Sequence, residues 1–273
     1  MTTSLTPNQS PALQLRDVSL TFHKGSPDQR IALNNLSLQI NAGDYVVVIG
    51  SNGAGKSTLL NVIAGSVMPD TGTVTLHGRD VTRMPVHKRA AYIGRVFQDP
   101  MLGTAPALSI EENLALAGRR GLKRGFKLAL NGERRKRYAD LLKPFGLGLD
   151  TRLGVSAGLL SGGQRQVLAL LMASLCRPQL LLLDEHTAAL DPGTADLVMH
   201  ATQRLIEEEQ LTALMITHNM QQAIDVGNRL LALNAGRVHL DLDSQAKAHL
   251  TVERLVEQFA VASDRQLLQA GAQ

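Results

Sequence analysis

Apolar and polar residues alternate over residues 13–22 and again over 33–40, the period-two pattern of strands with one buried face. Residues 45–49 are uninterrupted apolar, which predicts a strand buried on both faces. The glycine-rich segment from Gly50 to Gly55 ends that run, and apolar positions return at helical spacing over 56–64. A Pro-Asp-Thr-Gly turn precedes a further strand at 74–76, and 93–97 reads as another buried strand. After Asp99 and Pro100 the texture changes. Residues 100 to about 160 carry helical patterns broken by Gly121, Gly125, Gly132 and Gly146, with no strong strand, and predict a helical insertion. Strand patterns resume at 180–183, 213–217, 230–233 and 238–240, with helices predicted over 165–175, 194–209 and 220–226. A last amphipathic helix is predicted over 250–259, with Leu255, Val256 and Phe259 on one face and Thr251 as its N-cap. Strands alternating with helices and no internal repeat imply an α/β core with a largely parallel sheet.

Composition narrows the class. No apolar run approaches the roughly 18–20 residues that cross a bilayer. Residues 1–11 are polar and lack the layout of a signal peptide, so they read as a disordered lead-in. Residues 12–240 then form one domain that includes the insertion, and 241–273 a helical tail. The single cysteine, Cys176, falls in an apolar helical stretch and excludes a disulfide framework within the chain, so a cytoplasmic location is the default. The formal charge is +4. Most of that excess lies in 119–137, where basic residues face only Glu133. With aromatic residues at 3% there is little to stack bases on, and nucleic acid is not the expected partner. The run reads as a solvated face, or as a contact for a partner or for lipid headgroups.

Three motifs carry chemistry. Gly50-Ser51-Asn52-Gly53-Ala54-Gly55-Lys56-Ser57 fits G-x-x-x-x-G-K-[ST] between a predicted strand and a predicted helix. Its glycines let backbone N–H groups turn inward around phosphate oxygens, and the helix N-terminus adds a positive dipole end. Lys56 would reach the β- and γ-phosphates and Ser57 would ligate Mg²⁺, with Thr58 beside them at the helix start. Leu180-Leu181-Leu182-Leu183 ends in Asp184 and Glu185, which a buried parallel strand would deliver to the sheet edge where ligands bind. Asp184 suits a Mg²⁺ shell, and Glu185 suits the general base for an attacking water, a role worth about 10²–10⁴-fold. The third, Leu160-Ser161-Gly162-Gly163-Gln164, opens a long helix. It is either an anion site or a plain helix cap.

In this order the motifs resemble the nucleotide-binding subunit of ATP-binding cassette (ABC) transporters over about residues 13–240. The resemblance implies a P-loop NTPase (RecA-like) core with a helical insertion subdomain, ATP with Mg²⁺ as ligands, and ATP hydrolysis as the activity. Residue by residue, Phe22 matches the aromatic position that stacks on adenine, with His23 as the alternative. Gln98 matches the glutamine that touches Mg²⁺ and the attacking water. Asp191, in Ala189-Leu190-Asp191, matches the loop that crosses the dimer interface, and His218 matches the switch histidine on the γ-phosphate. The family pairs two copies head to tail, so that Ser161, Gly162, Gly163 and Gln164 of one copy close the nucleotide held by the other.

At His186 most of the family has proline, and a histidine there reads either as a subgroup marker with no chemical role or as a freer backbone with a titratable group near the dimer interface. The run Asp184-Glu185-His186-Thr187-Ala188-Ala189-Leu190-Asp191-Pro192 resembles an importer subgroup that works with a solute-binding protein and a permease for amino acids or similar solutes. The implied partners are a second copy of the chain, membrane-spanning permease subunits and a solute-binding protein, and the implied location is the inner face of the cell membrane. An exporter or lipid-extracting ATPase shares the same core. A soluble ABC ATPase acting on ribosomes or DNA fits less well, since the chain holds one cassette and no sustained heptads.

Overall fold

The computed structural model describes residues 10–122 and 131–259. The strands in chain order are β1 (Leu13–Phe22), β2 (Arg30–Ile40), β3 (Tyr45–Gly50), β4 (Thr71–Leu76), β5 (Arg79–Asp80), β6 (Ile93–Val96), β7 (Leu180–Asp184), β8 (Ala213–Ile216), β9 (Arg229–Asn234) and β10 (Arg237–Leu242). The helices are α1 (Lys56–Ala64), α2 (Val86–Arg89), α3 (Ile110–Ala117), α4 (Gly132–Leu142), α5 (Gly162–Ser174), α6 (Pro192–Glu208), α7 (Met220–Asp225) and α8 (Ser244–Lys247). One further helix covers residues 252–259.

The strands divide into two sheets. The main sheet has the order β10-β9-β3-β8-β7-β6, parallel throughout except for β10 at its edge. The second, β2-β1-β4-β5, is antiparallel. Period-two alternation identifies a strand but not its partner, so the sequence reading placed these strands in no separate sheet.

The central strands β3, β7 and β8 are buried on both faces, as their unbroken apolar runs require, whereas β6 at the edge carries Arg95. On one face Val46, Val48, Leu182, Leu214 and Leu231 pack with α1 and the antiparallel sheet. On the other, Val47, Ile49, Leu181, Leu183, Met215 and Leu230 pack against side chains of α5 and α6. The insertion has its own core, in which Ile110, Leu114, Tyr138 and Leu142 meet Val167 and Leu171 of α5. α5, which opens on the Leu160–Gln164 motif (the signature segment), is therefore shared between insertion and main domain.

Several local expectations shift. Gly132 opens α4 rather than breaking a helix. Cys176 lies in the turn after α5 and is exposed, with Sγ donating to Ala117 O at 3.3 Å. Thr251 Oγ1 accepts from Arg254 N at 3.3 Å, the expected cap. Leu255 is fully buried and Phe259 packs beside it, but Val256 is half exposed and points away. β10 runs to Leu242, and Lys247 of α8 buries its ammonium on Val226 O and Gly227 O, so the chain beyond 240 is tied to the end of α7. Lys123, Arg124, Gly125 and Lys127 of the basic run, most of the lead-in and residues 260–273 lie outside the described residues. Among the described residues no helix is long and apolar enough to cross a membrane.

Candidate nucleotide site

Parallel strands deliver their C-terminal ends to one edge of the sheet, and ligands bind there. β3 leads into the glycine loop, β7 ends on Asp184, β8 is followed by His218, and β6 by Gln98.

The loop is built by close approach. A Cβ on Gly50 would lie 2.5 Å from Leu233 O, and one on Gly55 would lie 2.4 Å from Ala32 O. Gly55 also sits at φ 102°, a left-handed backbone that frees the first N–H groups of α1 to face outward. Lys56 is buried and folds back over the loop, donating to Gly50 O at 2.7 Å and Ser51 O at 3.1 Å. Ser57 is exposed at the mouth.

A cleft of about 260 Å³ opens in front of the loop, lined by Phe22, Arg30, Asn52, Gly53, Gly55, Lys56, Ser57, Thr58 and Glu185. Phe22 forms one wall, about one-third exposed, while His23 does not line the cleft. Arg30 was not anticipated. It pairs with Phe22 across β1 and β2 and donates to Gly53 O at 3.0 Å, adding a second cation to the cleft. No motif marks it, because it reaches the site through strand register rather than chain proximity.

Glu185 bridges this cleft and a second one of about 260 Å³, lined by Thr187, Ala188, Pro192, Asp196, Thr217, His218 and Gln222. Its backbone is held at φ 44°, with its N–H donating to Ile216 O at 3.1 Å. A non-glycine residue in that region costs of order 1 kcal/mol and persists only where its surroundings impose it. Oε2 of Glu185 lies 3.4 Å from Nδ1 of His218. Asp184 contacts Arg95, Nη2 to Oδ2 at 3.0 Å.

Other expected members stand apart. Gln98 is exposed and lines neither cleft. Ser161 caps α5, its Oγ accepting from Gln164 N at 3.3 Å while Gln164 Oε1 accepts from Ser161 N at 3.1 Å. Gly162 is exposed, but Gly163 is buried, and a Cβ there would come within 2.0 Å of Thr194 Cγ2. Asp191 caps α6, accepting from Thr194 N at 3.1 Å, and hydrogen bonds from Thr194 hold its carboxyl below the usual range. The signature segment and the Asp191 loop thus pack on each other, away from the cleft in their own chain.

His186 corrects an expectation. It is 2% exposed rather than available at an interface. Thr202 Oγ1 donates its one proton to Val198 O at 2.8 Å, so His186 Nε2 must be the donor in its 2.9 Å contact with Thr202 Oγ1. The ring is a neutral tautomer fastening the residue after Glu185 to α6. Burial pushes its pKa down from 6.5 to about 4. Between those values an unfolded chain takes up a proton that the folded chain refuses, so stability falls as pH drops through that window. The full loss attributable to His186 is about 3 kcal/mol. Denaturant titrations from pH 7 to pH 4 should therefore show a shallower acid loss for His186→Gln than for the native chain.

Mg²⁺ favours oxygen ligands and retains water, completing its shell with phosphates. Ser57 Oγ and the carboxylate of Asp184 fit such a cation as two hard donors beside a phosphate cradle.

Comparison with known proteins agrees with this geometry. The family model for ABC transporters matches residues 33–188. The tyrosine transport ATP-binding protein of Clostridioides difficile is 42% identical over 92% of this chain and 99% of its own length. The spermidine/putrescine import ATP-binding protein of Acidothermus cellulolyticus is 35% identical over 86% of this chain, which spans only 58% of that longer relative. Among solved structures, a dimeric ATP-binding cassette in a post-hydrolysis state with ADP and Pi is 31% identical, with a TM-score of 0.72 over 85% of this chain and 98% of that one.

Proposed function

Because this chain belongs to the ABC transporter family as an ATP-hydrolysing, ATP-binding subunit, we propose that it drives uptake of a small solute, an amino acid or similar, through separate permease subunits. One observation carries the chemical half of the reading: Lys56, Ser57 and Glu185 line a single cleft against Phe22. The adenine base stacks on Phe22, the triphosphate lies along the loop from Gly50 to Thr58 with Lys56 and Arg30 opposing its charge, and Ser57 and Asp184 hold the accompanying Mg²⁺. That cation, when bound, neutralises charge on the phosphate oxygens.

Glu185 accepts a proton from the attacking water as its oxygen bonds to the γ-phosphorus, and ADP leaves with the electron pair of the broken P–O bond. His218, beside Glu185, hydrogen-bonds the γ-phosphate. Ser161 and the exposed start of α5 complete the site of a second copy, joined head to tail, with Asp191 at the junction and Gln98 brought in on closure. Such closure excludes water and couples hydrolysis to movement of a partner. The insertion meets that partner: Met101, Leu102, Leu116 and Leu122 expose apolar side chains there.

The solute reading rests on the near full-length likeness to a tyrosine transport ATP-binding protein, and the import direction on the likeness to a spermidine/putrescine import ATP-binding protein. A solute-binding protein and an inner-face location follow from the same reading.

Equilibrium titration with a fluorescent ATP analogue tests the nucleotide half. Lys56→Ala should weaken binding roughly 10–100-fold, the worth of charge-assisted hydrogen bonds to phosphate; unaltered affinity would rule the cleft out. Co-reconstitution with the cognate permease should stimulate hydrolysis, and stimulation by ribosomes or DNA instead would overturn the transport half.

A further inference from the structure

Arg95 lies on β6, adjacent to β7, and no motif assigns it a role. Its guanidinium bridges three parts of the site. Nη2 donates to Asp184 Oδ2 at 3.0 Å, Nη1 donates to Asn61 Oδ1 on α1 at 2.8 Å, and the guanidinium carbon lies 4.7 Å from the centre of the Phe97 ring. Both partners of the ion pair are largely buried, with side-chain exposures of 15% and 16%. Asp184 is the carboxylate at the end of β7, which β8 separates from the strand that leads into the phosphate loop.

The pair is not the two-bond fork that makes arginine–carboxylate contacts strong. Only Nη2 reaches Asp184, while Nε is buried without a partner. A single-point contact of this kind is displaceable. It nevertheless places a full positive charge beside the carboxylate that a divalent cation would share. At the intermediate dielectric of a partly buried site such a charge weakens cation binding, and salt screens it little. Asn61 and Phe97 hold the guanidinium in place, so it cannot swing into solvent when a cation arrives.

We propose that Arg95 is a positioning residue that competes with the nucleotide-bound divalent cation for Asp184 and sets the cation concentration at which the site fills. This rests on the reading of Asp184 as part of the Mg²⁺–ATP site. The brace also reaches α5. Gln166 Nε2 donates to Phe97 O at 3.2 Å, so the strand end that carries Arg95 is attached to the helix that begins at the signature segment.

The test measures Mn²⁺ binding to the full-length protein in the presence of a non-hydrolysable ATP analogue, by loss of the free-ion paramagnetic resonance signal. Arg95→Met should lower the half-saturating Mn²⁺ concentration about tenfold, the effect of removing one nearby charge at intermediate dielectric. Arg95→Lys, which keeps the charge, should stay within about twofold of the native chain. Arg95→Gln keeps an amide donor toward Asp184 and should shift in the same direction as the methionine variant, giving the same measurement if that variant does not fold. An unchanged or raised half-saturating concentration in the neutral variants overturns the proposal. Asp184→Asn separates the two layers. If it leaves Mn²⁺ binding unaltered, the reading of the site falls and the proposal with it; if it weakens binding while Arg95→Met changes nothing, only the role of Arg95 falls.

Discussion

Glu185→Gln should lower ATP hydrolysis about 10²–10⁴-fold while leaving ATP binding within about twofold of the native chain, the signature of a lost general base. The amide has nearly the shape of the carboxylate but cannot accept the proton of the attacking water. The backbone that aims the side chain does not depend on it. The Glu185 N–H is tied to Ile216 O at 3.1 Å and φ is held at 44°, constraints the amide inherits. Contact with His218 Nδ1, 3.4 Å away, also survives, since an amide oxygen accepts as a carboxylate does.

The binding machinery lies on the other side of the cleft, in Lys56 and the glycine loop, so affinity is spared. With binding intact and turnover blocked, two copies joined around ATP should accumulate. Light scattering of the variant with Mg²⁺–ATP should then report a dimer that persists through gel filtration, while Lys56→Ala stays monomeric. Hydrolysis at the native rate in the Gln variant would remove Glu185 from the reaction.

The phosphate loop and the Asp184-Glu185 pair were legible because their signals are local. A strand, a glycine turn and a helix are contiguous in the chain, and the four leucines before Asp184 announce a doubly buried strand. Helix starts were legible by the same logic wherever capping was visible: Ser161 and Gln164 form a capping box, and Asp191-Pro192 places an acceptor before an N1 proline. The sequence reading weighed Ser161–Gln164 as a cap yet began its helix at 165, and it began the second at 194 without using the Asp191-Pro192 cap.

What stayed hidden depends on contacts between distant segments. Arg30 enters the cleft through the register of β1 against β2, which bulges shift along its length. Arg95 reads as a polar interruption of a strand, yet it meets Asp184, 89 positions away. His186 reads as a subgroup marker or as a titratable group near the dimer interface, and its buried contact with Thr202 of α6 was not visible in the sequence. The pairing of β1, β2, β4 and β5 into their own sheet was illegible for the same reason.

The largest loss of stability should come from Arg89→Met, at about 3–5 kcal/mol, read as a fall in the urea midpoint with little change in slope. Arg89 follows His87 and Lys88 in the sequence, but its side chain is entirely buried. Among the described residues no carboxylate forms an ion pair with it. Its guanidinium instead meets four backbone carbonyls, with Nε on Met84 O at 2.8 Å, Nη1 on Val62 O at 2.7 Å and Ile63 O at 2.8 Å, and Nη2 on Thr82 O at 2.8 Å. Val62 and Ile63 belong to the last turn of α1, where the dipole end is negative and Val62 O accepts, besides Arg89, the capping Gly65 N–H at 3.2 Å. A cation there is stabilised by the helix itself.

Methionine fills similar volume but offers no donors, leaving acceptors buried without partners, and each costs about 1–3 kcal/mol. Lysine should recover part of the loss, since it restores the charge but not the planar fork that reaches all four oxygens. Gly65 gives an independent check. A Cβ there would lie 2.6 Å from Arg89 Nε at a left-handed φ of 79°, so Gly65→Ala should destabilise both by backbone strain and by displacing the same guanidinium, and only the second part should disappear once Arg89 is methionine. That non-additivity is the discriminating measurement, because two unrelated structural lesions would add. The other end of α1 is Lys56, so the same variants connect stability to function. Loosening the C-terminal turn should weaken nucleotide binding in proportion to the lost stability, whereas a change of affinity at native stability would show that Arg89 acts on the loop by another route.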